Sequence, residues 1–163
     1  MIEKTLILIK PDGVERGLVG EITTRFEKAG FKIIGMKMFW TDDKFARKHY
    51  PKNIEDKYGK EIRDRIVDYL KEGPVVAMVL EGVNAILGVR KIVGDTYPNE
   101  ATPGTIRGDY AHTSKEYANK NKRQVKNLIH ASGNKDDAKV EIKLWFSDSE
   151  LFEYETVFEK HCR

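Results

Sequence analysis

The sequence predicts an α+β sandwich of ferredoxin-like type, a four-stranded antiparallel sheet covered by helices. Four short runs rich in apolar or β-branched residues, at 5–9, 31–40, 75–80 and 125–130, read as strands. Amphipathic helical patterns fall between them in the order β-α-β-(αα)-β-α-loop-β. No internal repeat or linker divides the chain, so its 163 residues read as one domain, 1–163, long enough to bury a single core.

Thr5-Leu6-Ile7-Leu8-Ile9 stops at Lys10-Pro11-Asp12-Gly13, the pattern of a buried central strand ending in a turn. Lys10 then sits at the strand's C-terminal edge. After the glycine-punctuated stretch 13–20, Val19, Ile22, Phe26 and Ala29 recur at helical spacing, and Gly30 closes that helix. Residues 31–40 have the composition of a second strand, and Thr41-Asp42-Asp43 is a helix start signal. Charged helices are expected over 44–50 and 59–71, separated by the break at Pro51, with Ile62, Ile66 and Tyr69 or Leu70 as the inner stripe of the second. Gly73-Pro74 ends it, and residues 75–80 form a fully apolar third strand. Asn84 is placed to cap a helix carrying Ile86, Leu87, Val89, Ile92 and Val93. The fifteen residues 95–109 include two prolines and three threonines, longer than an idle connection usually is, which predicts a functional or mobile loop. Residues 114–123 are polar and basic and lead into the fourth strand, 125–130. Ala138, Ile142 and Phe146 mark a last amphipathic helix, and from Ser149 a C-terminal segment is expected to clasp the body.

Hydrophobic residues at 40% and charged residues at 34% describe a soluble globular chain rather than a disordered or membrane one. Lys and Arg number 29 against 26 Asp and Glu, a net charge of +3, so no general polyanion-binding surface is implied. A lone Cys162 rules out an intramolecular disulfide or a cysteine cage, and no HExxH spacing occurs, so no protein-borne metal is expected. Met1-Ile2-Glu3-Lys4 leads directly into a strand pattern, without signal peptide or membrane span, and the expected location is the reducing cytoplasm.

The chemistry centres on Asn127-Leu128-Ile129-His130-Ala131-Ser132, which sets one histidine at a strand's end beside a polar turn. Three cations fall at loops or element ends: Lys10 after the first strand, Arg90 on the helix after the third, and Arg107 at the end of the long loop. Each alone is an ordinary surface ion-pair residue. Gathered about a histidine, they would suit a polyphosphate, with arginine forks for oxygens and lysine as a compact charge. A neutral imidazole is a competent nucleophile near neutral pH, and a phosphorylated one is an activated donor. Glu141 would orient the ring if its helix packs back under the strand. Neither the Gly-x-x-x-x-Gly-Lys-Ser/Thr loop nor the Gly-x-Gly-x-x-Gly run is present, so a nucleotide must be held by another device.

Four motifs occur in order: Ile9-Lys10-Pro11-Asp12-Gly13-Val14-x-Arg16-Gly17-Leu18-Val19-Gly20, Gly73-Pro74-Val75-Val76-Ala77-Met78, Pro103-Gly104-Thr105-Ile106-Arg107-Gly108-Asp109 and Asn127-x-Ile129-His130-Ala131-Ser132. Together, over roughly residues 3–155, they resemble the nucleoside diphosphate kinase family. The resemblance implies a ferredoxin-like fold and a ping-pong reaction: a nucleoside triphosphate phosphorylates the histidine, and a nucleoside diphosphate removes the phosphoryl group. It implies Mg2+ arriving with the nucleotide phosphates, low base specificity, and self-association as a homohexamer or a tetramer, with Pro98 resembling a subunit-contact residue. His130 resembles the phosphorylated nucleophile, while Lys10, Arg90, Thr96, Arg107 and Asn127 fall on phosphate and sugar ligands. Tyr50, Ser132 and Glu141 resemble the residues that line and orient the site.

The chain departs from the family pattern in three places. Counting back from Gly73-Pro74 puts Ile62 where the family has a base-stacking phenylalanine, and the segment 51–61 is longer, so that either Ile62 or Tyr58 meets the base; register favours Ile62. The segment 110–124 is also longer and carries the basic run, which would cover a subunit surface or add a basic rim to the cleft. Gly133 replaces an acidic residue. A competing reading, an RNA-recognition module, lacks its aromatic strand motif, since residues 75–80 offer no ring, and nucleic acid is not expected as a partner. An inactive scaffold would not need His130, the cations and Glu141 together.

Overall fold

The computed structural model describes residues 1–162. Strands β1 (Ile2–Ile9), β2 (Lys32–Phe39), β3 (Val75–Val83) and β4 (Ile129–Ala131) form one antiparallel sheet in the order β2-β3-β1-β4. The ferredoxin-like arrangement expected from the element order is therefore the one observed.

Successive side chains of a strand point to opposite faces, and two cores follow that alternation. Ile7, Ile9, Val76, Met78 and Leu80 face one side, covered by Ile22 and Phe26 of α2 (Val19–Lys28) and Val89 and Val93 of α6 (Ala85–Val93). Leu6, Leu8, Val75, Ala77 and Val79 face the other, under Ala46 of α3 (Asp43–His49), Val67 and Leu70 of α5 (Lys60–Lys71) and Trp145 of α9 (Lys135–Trp145). The central strands β1 and β3 are covered on both faces, so they offer no open surface on which bases could stack as in an RNA-recognition domain.

Helix starts follow their caps: Asp42 accepts from the Phe45 amide at 2.7 Å and Asn134 from Asp137 at 2.9 Å. Asn84 does not cap as expected. It is left-handed at φ 49° with no side-chain cap bond, and the Glu3 carboxylate accepts from Ile86 N at 3.4 Å instead. Four further short helices form where a turn, a break, a loop and an insertion were expected: α1 (Pro11–Glu15), α4 (Lys52–Tyr58), α7 (Ile106–Tyr110) and α8 (Lys115–Lys120). Thr105 and Ser114 cap the last two, and Pro51 breaks α3 only to stand at the start of α4. The inner stripe of α5 runs through Val67, Tyr69 and Leu70, with Ile66 partly buried, while Ile62 remains 38% exposed. Ala29, at the end of α2, is likewise exposed.

The fourth strand is shorter than the apolar run suggested, only three residues, for a backbone reason. Leu128 has φ 69°, and the Ile129 amide turns back to the Asn127 carbonyl at 2.7 Å. A bulky residue in this region costs about 1–3 kcal/mol unless its surroundings hold it. Here they do: Leu128 is fully buried, its N–H donates to Asp12 Oδ2 at 3.1 Å, and its carbonyl accepts from Lys10 N at 2.8 Å. The C-terminal segment clasps β2, where Phe152 N donates to the Ile34 carbonyl at 2.7 Å and Lys32 Nζ to the Tyr154 carbonyl at 2.8 Å. No helix among the described residues is long and apolar enough to cross a membrane.

Candidate active site

His130 lies in the middle of β4 rather than at its end, opposite Leu8 of β1. Because Ile129 and Ala131 join the α2/α6 core, alternation turns the imidazole to the other face, toward α3 and α9. There Glu141 of α9 meets it, with Oε1 2.9 Å from His130 Nε2, while Ser132 Oγ donates to Oε2 at 2.6 Å. Ser132 is itself fixed, accepting from Leu6 N at 3.2 Å. Burial pushes the Glu141 carboxyl pKa up, but the facing His130 and its hydrogen bond, with the Ser132 hydroxyl, more than offset this and hold it below the usual carboxylate value. An ionised carboxylate only accepts, so His130 Nε2 carries the proton and the lone pair of the neutral ring is on Nδ1.

Two of the three cations are interior residues rather than surface ion-pair partners: Lys10 is 6% exposed and Arg107 8%. Lys10 Nζ donates to Asn127 Oδ1 at 2.7 Å, and the same amide donates through Nδ2 to the Thr96 carbonyl at 2.9 Å. Asn127 thus ties Lys10 to the long loop, and the exposed Thr96 enters this network through its backbone. Arg107 donates to the carbonyls of Asn127 (3.2 Å), Gly94 (3.0 Å), Asp95 (3.1 Å) and Ile129 (2.6 Å). Its fork was expected to serve phosphate oxygens, yet four of its five N–H donors are committed to backbone, leaving a positive charge with one N–H. Arg90 is exposed and shares a recess with Val93, Gly94, Arg107 and Ala131, which brings it beside His130's strand. Burial and the neighbouring Arg107 charge lower the Lys10 pKa to about 7, and burial, with Arg90 adding to it, lowers that of Arg107 to about 10. The cations therefore converge closely enough to repel, an arrangement that a bound polyanion would relieve.

Four contributors were given no role in the sequence reading. Asp12 accepts from Tyr69 OH at 2.6 Å and, through its other oxygen, from Leu128 N, while Tyr69 OH accepts from Asn127 N at 3.2 Å. This pair holds the strained turn that delivers His130. Asp12 stood within a quoted motif, but Tyr69 read only as core. Gly13 belongs to the same support: a Cβ there would lie 2.8 Å from Ile9 Cγ2 and 3.1 Å from the Leu128 carbonyl. The fourth is His49, whose ring lies 4.7 Å from that of His130. Tyr50 is buried with its ring 4.6 Å from His49, and burial pushes its phenol pKa far up.

Ile62 and Tyr58, the two residues expected to meet the base, are 38% and 51% exposed. Pro98, by contrast, is buried within the protomer. His49, His130 and Glu141 offer ligand atoms within 4.8 Å of one another, the one group of this kind among the described residues. Glu141 is engaged by His130 and Ser132, and Asp12 by Tyr69 and Leu128, so neither carboxylate is free for Mg2+. The donor set fits an ion carried on nucleotide phosphates rather than one caged by protein oxygens.

A helix-covered antiparallel sheet with buried cations about a carboxylate-oriented histidine defines a ferredoxin-like α+β enzyme with a pocket suited to phosphates. Residues 3–151 match the nucleoside diphosphate kinase family. A nucleoside diphosphate kinase of Pyrococcus furiosus is 48% identical over 153 residues, covering 94% of this chain and 88% of that one. A Borrelia burgdorferi nucleoside-diphosphate kinase, solved as a transition state mimic with bound vanadate and ADP, superposes with a TM-score of 0.96 at 40% identity, covering 98% of this chain and 96% of that one. A halophilic homologue from Halobacterium salinarum in complex with CDP gives 0.85 at 37% identity, covering 99% and 98%. The chain belongs to the nucleoside diphosphate kinase family, and it is a phosphotransferase.

Proposed function

We propose that this enzyme moves the γ-phosphoryl group of a nucleoside triphosphate, typically ATP, to a nucleoside diphosphate by a ping-pong route through a phosphohistidine at His130. The observation that carries this reading is the His130–Glu141 contact of 2.9 Å, which holds the proton on Nε2 and leaves Nδ1 as the nucleophile. In the first half-reaction the Nδ1 lone pair forms a bond to the γ-phosphorus as the bond to the β–γ bridging oxygen breaks. The diphosphate leaves with that electron pair, and an acceptor diphosphate reverses the step. Little covalent machinery is needed, because in-line positioning and charge compensation dominate phosphoryl transfer.

Lys10, Arg90 and Arg107 compensate the phosphate charge, and Thr96 and Asn127 complete the phosphate and sugar contacts. Tyr50, Ser132 and Glu141 line and orient the site. Mg2+ enters on the nucleotide phosphates. The base rests on Ile62, and low base specificity follows, since stacking and apolar contact read no particular base edge. Vanadate and ADP in the Borrelia relative, and CDP in the Halobacterium relative, support a site of this kind here. We read the chain as one domain, placed in the cytoplasm and assembled as a homohexamer, with a tetramer as the alternative count. The uncovered apolar residues Met36, Met38 and Trp40, at 50%, 63% and 64% exposure, support self-association.

Incubation with γ-labelled ATP is expected to give an acid-labile, alkali-stable phosphoprotein, and His130→Ala is expected to abolish both the label and transfer to a diphosphate. Label that persists in His130→Ala would overturn the reading.

A further inference from the structure

We propose that His49 is a further catalytic residue, donating a hydrogen bond through Nε2–H to the phosphoryl group while it is carried by His130; this rests on the ping-pong reading above. The tautomer follows from a neighbour. Trp145 Nε1 donates to His49 Nδ1 at 3.2 Å, and an indole nitrogen is only a donor, so Nδ1 accepts and the ring proton is on Nε2. His49 is 5% exposed, and burial, reinforced by the facing His130 and Lys10 against the opposing Glu141, keeps the ring neutral, with its pKa pushed down to about 3.

Nε2 is buried and has no hydrogen-bond partner among the described residues. An unsatisfied buried donor costs about 1–3 kcal/mol and calls for an explanation. Its position supplies one. The His49 ring stands at 87° to that of His130 with centroids 4.7 Å apart, and a ring nitrogen of each lies within 4.8 Å of the other and of a Glu141 oxygen. Tyr50 and Trp145, with ring centroids at 4.6 and 5.6 Å, hold the imidazole in place.

The same three residues could be read as a cation site. Glu141 and His130 are already bonded to each other, however, and what is left over on His49 is a proton, which calls for an acceptor. A phosphoryl group on His130 would supply three acceptor oxygens next to the His49 ring. A neutral donor suits the place: it adds no charge to the crowded cations, yet strengthens as negative charge spreads over the oxygens in transfer.

The test follows the His49 Nε2–H resonance of the intact 15N-labelled protein before and after ATP. The proposal expects a neutral Nε2–H signal that moves downfield as phosphoenzyme forms, and that stays in place when His130→Gln is given the same ATP. His49→Phe, which keeps a ring but removes the donor, is expected to slow phosphoenzyme formation by roughly 10²-fold with little change in KM, and His49→Gln, which restores an N–H, to recover part of it. An unmoved resonance in phosphorylated wild-type protein, or a wild-type rate in His49→Phe, would overturn the assignment. Failure of the underlying reading looks different, because the wild-type protein would then take no label from ATP at all.

Discussion

Lys10, Arg107, Asn127 and Ser132 are each more than nine-tenths buried and bonded to a distant stretch of chain, whereas Tyr58 and Ile62, proposed as the rim that meets the base, stand 51% and 38% exposed. The interior group is joined across large separations: Lys10 reaches Asn127, Ser132 reaches Leu6, and Arg107 grips both sides of the turn at Leu128. Tyr58 ends α4 and Ile62 lies in the first turn of α5, outside the stripe of Val67 and Leu70 that packs on the sheet. This contrast matches the demands that the proposed reaction makes at the two ends of a nucleotide. Phosphoryl transfer fails if the reacting atoms are misplaced by an ångström, and charge compensation is strongest from groups fixed in advance. A base held by apolar contact needs only an accessible surface.

The largest effect that would break this comparison is at Glu141. Glu141→Ala frees the His130 ring and leaves Ser132 Oγ without its acceptor, and kcat/KM is expected to fall by about 10²-fold while the fold persists by circular dichroism. A loss no greater than that at the rim would mean that orientation of the ring matters little.

An intermediate effect concerns protons at Lys10. Its pKa in the free protein is lowered to about 7, and a bound polyphosphate favours the charged form, so nucleotide binding above that pH takes up a proton. Affinity for a triphosphate is then expected to weaken by roughly tenfold per pH unit above neutrality, until the pKa of the complex is reached. Calorimetry in buffers of different ionisation enthalpy measures this uptake, and zero uptake between pH 7.5 and 9 would remove Lys10 as its source. The same depression makes Lys10 a cost to folding. The unfolded chain holds that proton up to about pH 10.4, so this contribution to stability falls as pH drops from there toward 7.

The smallest effect is at the rim. Ile62→Ala is expected to raise nucleotide KM about two- to fivefold, below about 1 kcal/mol, with kcat unchanged. Tyr58→Ala is expected to leave KM unchanged. Steady-state kinetics with purine and pyrimidine nucleotides checks both, and the reverse pattern would hand the base platform to Tyr58.

Much of this molecule was legible in advance because local patterns report local physics. The apolar run at 5–9, the Asp42 cap and the Gly73-Pro74 stop each act within a few residues of themselves, and each appears where expected. The four motifs carry the family for a related reason, since they hold Lys10, Arg107, Asn127 and His130 at characteristic places along the chain. Misreadings came where a distant segment overrode a local preference. Residues 125–128 look like strand, yet Asp12, Tyr69 and Lys10 bend them into a turn. Asn84 looks like a cap, yet Glu3 supplies the acceptor.

By itself, then, the sequence determined the strands and principal helices, the family, and the candidate residues of the site, because periodicity, caps and ordered motifs are properties of neighbouring residues. The tertiary structure alone decided that His130 faces α3 and α9, that Glu141 accepts a hydrogen bond from one ring nitrogen and leaves the other bare, and that Arg107 is tied to backbone carbonyls. It also brought Asp12, Tyr69 and His49 into the site. Those outcomes are set by hydrogen bonds and burial between segments far apart in the chain, where no local pattern records which partner will arrive.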